Sequence, residues 1–186
     1  MLVALVVSLA QTAAARHQGA RAAAAQAYLT SLFERIDPAR SAGSAPTVRD
    51  LLERGSERLD RELAEQPELR AEMQALLAQV FDQLSLHDQA DPLWRRALET
   101  RQALFGPGDA RTAKALKGLA TSLARQARYA EAEPLFQELL EREQARGNAR
   151  DLGSVLLNYG LFKSVTGDYA VAETLLERAV ATLESA

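Results

Sequence analysis

Apolar positions along this chain recur three and four residues apart, in stripes that end at polar or glycine-containing turns. That spacing belongs to a helix with one buried face, and no run alternates long enough to make a strand. The pattern also repeats. LHDQADPLWRRAL from Leu86, RYAEAEPLFQELL from Arg128 and DYAVAETLLERAV from Asp168 align without gaps. Ala90, Ala132 and Ala172 then coincide, at offsets of 132 − 90 = 42 and 172 − 132 = 40. Trp94, Phe136 and Leu176 share a position four residues on, followed by Ala97, Leu139 and Ala179, while His87, Tyr129 and Tyr169 coincide just before. Extended backward, the register aligns QALLAQVF from Gln74, LKGLATSL from Leu116 and LLNYGLFK from Leu156. Ala78, Ala120 and Gly160 share one position and Leu77, Leu119 and Tyr159 the one before. Each unit reads as a helix A and a helix B joined by a tight turn. Small residues mark the crossing and large ones fill the groove beside it. One hairpin cannot bury its apolar stripe alone, so the units must stack.

Local signals set the boundaries. Thr47 is an N-cap for a helix running to about Gln66, and Pro67 opens the next. Pro92 and Pro134 are placed in the first turns of their B helices, where proline costs no intrahelical bond. Gly106, Pro107 and Gly108 separate the first two units, and Gly147 and Asn148 the next two. The expected organisation is an N-terminal helix over residues 1–40, a linker at 41–46 and a repeat domain at 47–186. Repeats fall at about 71–108, 113–148 and 153–186.

The spaced pattern L-A…Y/H…A…F/W…A resembles the tetratricopeptide repeat. Its spacing near 42 is longer than the commonest 34 and resembles the kinesin-light-chain-like type. ARYAEAEPLFQELL is close to that type's helix-turn-helix core. FGPGDART at Phe105–Thr112 matches its acidic linker only loosely, and EQARGNARD at Glu143–Asp151 lacks it. Lys163 stands where an aromatic or leucine is usual, which implies looser packing of the last repeat. The resemblance covers roughly Pro67 to Ala186. It implies an all-α fold, a tetratricopeptide helical-hairpin solenoid wound as a right-handed superhelix, here preceded by a long N-terminal helix ending near Asp37.

MLVALVVSLAQTAAA is apolar as far as Arg16 but short of the roughly 20 residues that span a bilayer. Three readings stay open: an alanine-rich helix, part of a membrane span begun upstream, or a signal peptide lacking its basic start. The order AQAYLTSLFERIDPARS, TVRDLLERGSERLDRELAEQPELRAEM, then repeats resembles the C-terminal region of certain bacterial transmembrane serine/threonine protein kinases. That resemblance implies membrane attachment through residues 1–15 and a kinase half upstream. No glycine-rich loop, His-Arg-Asp or Asp-Phe-Gly occurs here.

Composition narrows the function. Apolar residues at 47% and charged residues at 25% indicate a globular chain. A formal net charge of −3, with acids and bases interleaved, offers no field for a phosphate backbone, so nucleic acid is not an expected partner. There is no cysteine, which removes disulfides, zinc-thiolate clusters and thiol catalysis. His17 and His87 are the only histidines; His87 occupies the tyrosine position of its repeat and reads as a turn-packing residue. Glu131/Glu133 and Glu141/Glu143 stand two apart, on different helix faces, and form no acid–base pair. Gly106-Pro107-Gly108 lacks the third glycine and preceding strand of a nucleotide fingerprint. Trp94 reads as core packing. No catalytic, cofactor or metal site is expected.

In the family that the repeats resemble, the A helices line a concave groove. Carried over by register, the groove positions are Glu72, Ala75, Gln79, Asp82 and Gln83, then Lys114, Lys117, Thr121, Ala124 and Arg125, then Ser154, Leu157, Asn158, Leu161 and Ser164. Lys114, Lys117, Thr121 and Arg125 follow i, i+3, i+7, i+11, so helix geometry alone puts them on one stripe. Asn158 matches an asparagine that the resemblance implies contacts a peptide backbone. The stripe is either a solvated face or a basic groove for acidic groups of an extended peptide. The expected function is a protein-interaction scaffold, with docking in a signalling kinase as one setting. The alternatives are a self-associating structural stack, or a fragment whose missing half is the kinase.

Overall fold

A computed structural model of the chain describes residues 23, 26–28, 30 and 47–186. The apolar segment 1–15, His17 and the expected helix end near Asp37 lie outside them. Residues 23, 26–28 and 30 are helical, and no strand occurs among the described residues. The helices that follow are α1 (Val48–Glu62), α2 (Pro67–Gln83), α3 (His87–Phe105), α4 (Ala110–Arg125), α5 (Tyr129–Arg146), α6 (Ala149–Val165) and α7 (Tyr169–Glu184). The architecture is the all-α array of stacked helical hairpins that the periodicity predicts. Two compact units divide it, Met1–Met73 and Gln74–Ala186.

In the first unit Thr47 caps α1 as expected. Its hydroxyl accepts from the Asp50 amide at 3.2 Å while the Asp50 carboxylate accepts from the Thr47 amide at 2.8 Å. The helix stops at Glu62, a few residues short of the expected Gln66, and Pro67 opens α2. Leu59, Leu63, Leu69 and Met73 bury around Tyr28. The Tyr28 hydroxyl donates to the Gly55 carbonyl at 2.8 Å, and burial pushes its phenol up from the ordinary range.

The second unit holds α3–α7 and the C-terminal half of α2. Packing runs α3 on α4, α4 on α5, α5 on α6 and α6 on α7, and α4 also touches α6. The repeat register holds in the core. Ala90, Ala132 and Ala172 are buried, as are Leu77, Leu119 and Tyr159. At Gly160, in register with buried Ala78 and Ala120, an added Cβ would lie 2.8 Å from Leu176 Cγ, so α6 and α7 touch through it. Phe136 stacks on Tyr159 at 5.5 Å and 6°, and Phe162 joins them at 5.0 Å from Phe136.

The three A-to-B turns are copies of one another. Amides of Leu86, Arg128 and Asp168 donate to carbonyls of Phe81, Leu123 and Lys163, five residues back, at 2.8, 3.0 and 2.9 Å. This closure forces one left-handed residue per turn, at Ser85 (φ 58°), Ala127 (φ 57°) and Gly167 (φ 87°). Only the third turn uses glycine, which adopts that conformation without a Cβ penalty.

Two expectations change. Pro92 and Pro134 are the sixth residues of α3 and α5, past the first turn. Both are exposed, as are Asp88 and Ala130 four residues before, so water can take up the carbonyl each proline leaves free. Lys163 does not leave a gap: its ammonium pairs with Glu133 at 2.7 Å and sits 5.6 Å from the Tyr159 ring centre. Hydrogen bonding by Glu133 holds the Lys163 ammonium above its ordinary range.

Three measurements test this account. Ala132→Leu should overpack the crossing and lower stability by about 1–3 kcal/mol in urea unfolding, whereas exposed Glu141→Ala should shift it by no more than about 0.5 kcal/mol. Ala127→Gly should raise the urea midpoint, by about 0.5–1 kcal/mol of stability, by relieving the left-handed alanine. Asp109 caps α4, and hydrogen bonds from the Arg111 side chain and amide depress its carboxyl to about 2. A lowered native value means the cap stabilises above the ordinary carboxyl range and is lost as pH falls through about 2. Asp109→Ala should therefore cost about 1 kcal/mol at neutral pH, and the gap from wild type should close between pH 4 and pH 2.

Candidate functional site

A cavity of about 360 Å³ opens between α2, α3, α4 and α6 in the second unit. Its basic wall is α4, where Lys114, Lys117, Thr121 and Arg125 line it together, as their helical spacing requires. Gln79 and Gln83 enter from α2 and Asn158 from α6. Of these, Lys117 donates to the Ser154 hydroxyl at 3.1 Å, and the Asn158 amide nitrogen is held by the Ser154 carbonyl at 2.6 Å, which leaves its oxygen for a ligand. Among the described residues Lys114 and Arg125 form no ion pair.

The floor is Trp94, Gly118 and Asp82. Trp94 lies against Gly118 so closely that an added Cβ would be 2.3 Å from the ring. Asp82 is only 8% exposed. Its Oδ2 accepts from Trp94 Nε1 at 2.8 Å; its Oδ1 accepts from the Ser122 hydroxyl at 2.7 Å and lies 3.0 Å from His87 Nδ1. One carboxyl thus fastens α2 to the N-terminal half of α3, at His87 and Trp94, and to the next A helix at Ser122. Asp82 was expected to face a ligand; instead its oxygens are taken internally, because a buried carboxyl must find donors.

The rest of the expected set is divided. Leu157 and Leu161 are 42% and 52% exposed on α6, but outside the lining of this cavity. Glu72 is exposed on α2 in the first unit. Trp94 and Gly118 went unassigned as groove residues; the signal was a glycine at the α4 position where the third unit carries Asn158. Ser122, His87 and Asp82 do not make a nucleophilic triad. The aspartate stands between hydroxyl and imidazole, and a triad needs the imidazole there. Among the described residues no cluster of three His, Asp or Glu could hold a metal, and no helix is long and apolar enough to cross a membrane.

Residues 69–145 match the family model of the tetratricopeptide repeat. The fold is similar to that of BtubC (BKLC) from P. vanneervenii, a crystal structure of TM-score 0.64 and 22% identity, covering 91% of this chain and 76% of that one. MamA (MSR-1 C2) is more distant, with TM-score 0.49 and 21% identity over 72% of this chain and 68% of that one. No curated protein matches the sequence. At these identities the likeness to solved structures concerns the fold alone.

The floor is open to direct test. Asp82→Asn removes one of two acceptor oxygens beneath three donors and should cost about 2–4 kcal/mol in urea unfolding. Gly118→Ala should shift the emission of Trp94, the only tryptophan, to longer wavelength as the ring is pushed off the floor.

Proposed function

We propose that this chain is a protein-interaction scaffold that holds an acidic, extended peptide segment of a partner in the α2–α4–α6 groove. The observation that carries this reading is the wall of α4, where Lys114, Lys117 and Arg125 share one cavity and, among the described residues, Lys114 and Arg125 form no ion pair. Carboxylates of a ligand would pair there, and the Asn158 oxygen would accept a ligand amide. Leu157 and Leu161 extend the surface with apolar area for the same partner. Each exposed ion contact contributes only about 0.5–1 kcal/mol, so affinity must accumulate over several contacts and burial. The kinesin-light-chain-like spacing, and the likeness of the flanking segments to the repeat region of transmembrane kinases, support a docking role in signalling, with residues 1–15 as the membrane attachment. A second reading, self-association through the last hairpin, draws on the exposed Tyr169, Val171 and Val180 of α7. Sedimentation over a concentration range separates them, because a peptide-binding scaffold stays monomeric without its partner.

Trp94 in the floor reports occupancy. Titration of the full chain with a capped peptide alternating Asp or Glu with Leu should give a saturable change in Trp94 fluorescence. Lys117→Glu with Arg125→Glu should weaken binding about tenfold or more and flatten its salt dependence, with helicity unchanged. Equal affinity and equal salt slope in wild type and double variant would mean that the stripe is a solvated face.

A further inference from the structure

A second cavity, also of about 360 Å³, lies where the N-terminal half of α4 meets the C-terminal half of α5 and the start of α6. Its apolar base is Ala113, Leu139 and Val155, part of the hydrophobic core of these hairpins. Lys114 and Lys117 line this cavity as well as the groove, so the two share a wall.

Glu143 on α5 sets the chemistry. It is 1% exposed, yet it lines the cavity. Its Oε1 accepts from Arg146 Nη1 at 2.6 Å, and its Oε2 is buried with no hydrogen-bond partner. Buried carboxyl oxygens without donors are rare, because the group has lost its hydration. The other polar groups are engaged: Arg146 also reaches Asp151 at 3.4 Å, and Lys117 is bonded to Ser154. Among the described residues two groups of this cavity are without a hydrogen-bond or ion-pair partner, the Glu143 Oε2 acceptor and the Lys114 ammonium.

We infer that this cavity receives one carboxamide side chain, glutamine or asparagine, of the peptide bound in the neighbouring groove. The inference rests on the groove reading above and deepens it. A carboxamide carries N–H donors for Glu143 Oε2 and a carbonyl for the Lys114 ammonium in one planar group. A lysine or arginine would meet Arg146 already on the same carboxyl, among lining groups whose formal charges are three positive and two negative. A carboxylate would set acceptor against acceptor at Glu143. Only a group that donates and accepts without net charge suits both walls.

Three capped peptides test this on the full chain, followed by Trp94 fluorescence and by amide-shift NMR. The first is Asp-Leu-Glu-Gln-Glu-Leu-Asp; in the others methionine or lysine replaces the central glutamine. The glutamine peptide should bind about tenfold more tightly than either of the others. Glu143→Leu should abolish that preference. Because Glu143 is buried and the variant could misfold, exposed Lys114→Met serves as the second arm: it should weaken all three peptides and reduce the glutamine preference. Equal affinity of the three for wild type would overturn the carboxamide assignment and leave the groove intact, as would the lysine peptide binding most tightly. A glutamine preference that survives both variants would also overturn it. Failure of all three peptides to bind would overturn the groove and the pocket together.

Discussion

The first junction of the second unit is fixed by one buried carboxyl. Asp82, at the end of α2, takes the indole N–H of Trp94 from α3 and the hydroxyl of Ser122 from α4, with His87 of the turn beside it. A stack of helical hairpins is otherwise held by nondirectional apolar contact, which tolerates sliding. Hydrogen bonds to a carboxyl do not tolerate it, since a shifted helix would leave a polar group buried and unmatched. The register of the first hairpin on the second is thereby pinned, and the indole is held against Gly118, where it forms the groove floor. The basic wall of α4 keeps its place opposite α2 because Ser122 on the same helix is fastened to Asp82.

The junction between the second and third hairpins uses different means. Tyr159 donates to Glu133, and Lys163 pairs with the same carboxylate, over a stack of Phe136, Tyr159 and Phe162. Charge and aromatic surface do there what the aspartate does at the first junction. Burial raises the Tyr159 phenol, and hydrogen bonds from Lys163 and Tyr159 outweigh burial to hold Glu133 below its ordinary range. The two junctions are alike in outline and distinct in chemistry.

Most of the fold was legible in the sequence because it rests on periodicity. Alanine at 90, 132 and 172 marks the crossings wherever a side chain larger than a methyl would collide, and that constraint is written one residue at a time. The stripe of Lys114, Lys117, Thr121 and Arg125 was legible for the same reason. Asp82 was not. Its position on the helix faces the groove, and helix geometry says nothing about donors arriving from Trp94 and Ser122, 12 and 40 residues away. Glu143 escaped similarly: spacing separates it from Glu141 but cannot show that α4 and α6 close over it. Lys163 looked like a defect because its partner, Glu133, comes from another helix.

The turns carry a consequence for how the array comes apart. Ser85 and Ala127 sit in a backbone conformation that L-residues avoid, while Gly167 occupies the same place freely. The first two hairpins therefore each carry about 1 kcal/mol of strain at the turn, which stacking on a neighbour must offset. Units that cannot persist alone have no populated half-folded states to visit. Loss of one hairpin should propagate to the next, so these repeats melt as a block, and the middle of the array opens no earlier than its edge.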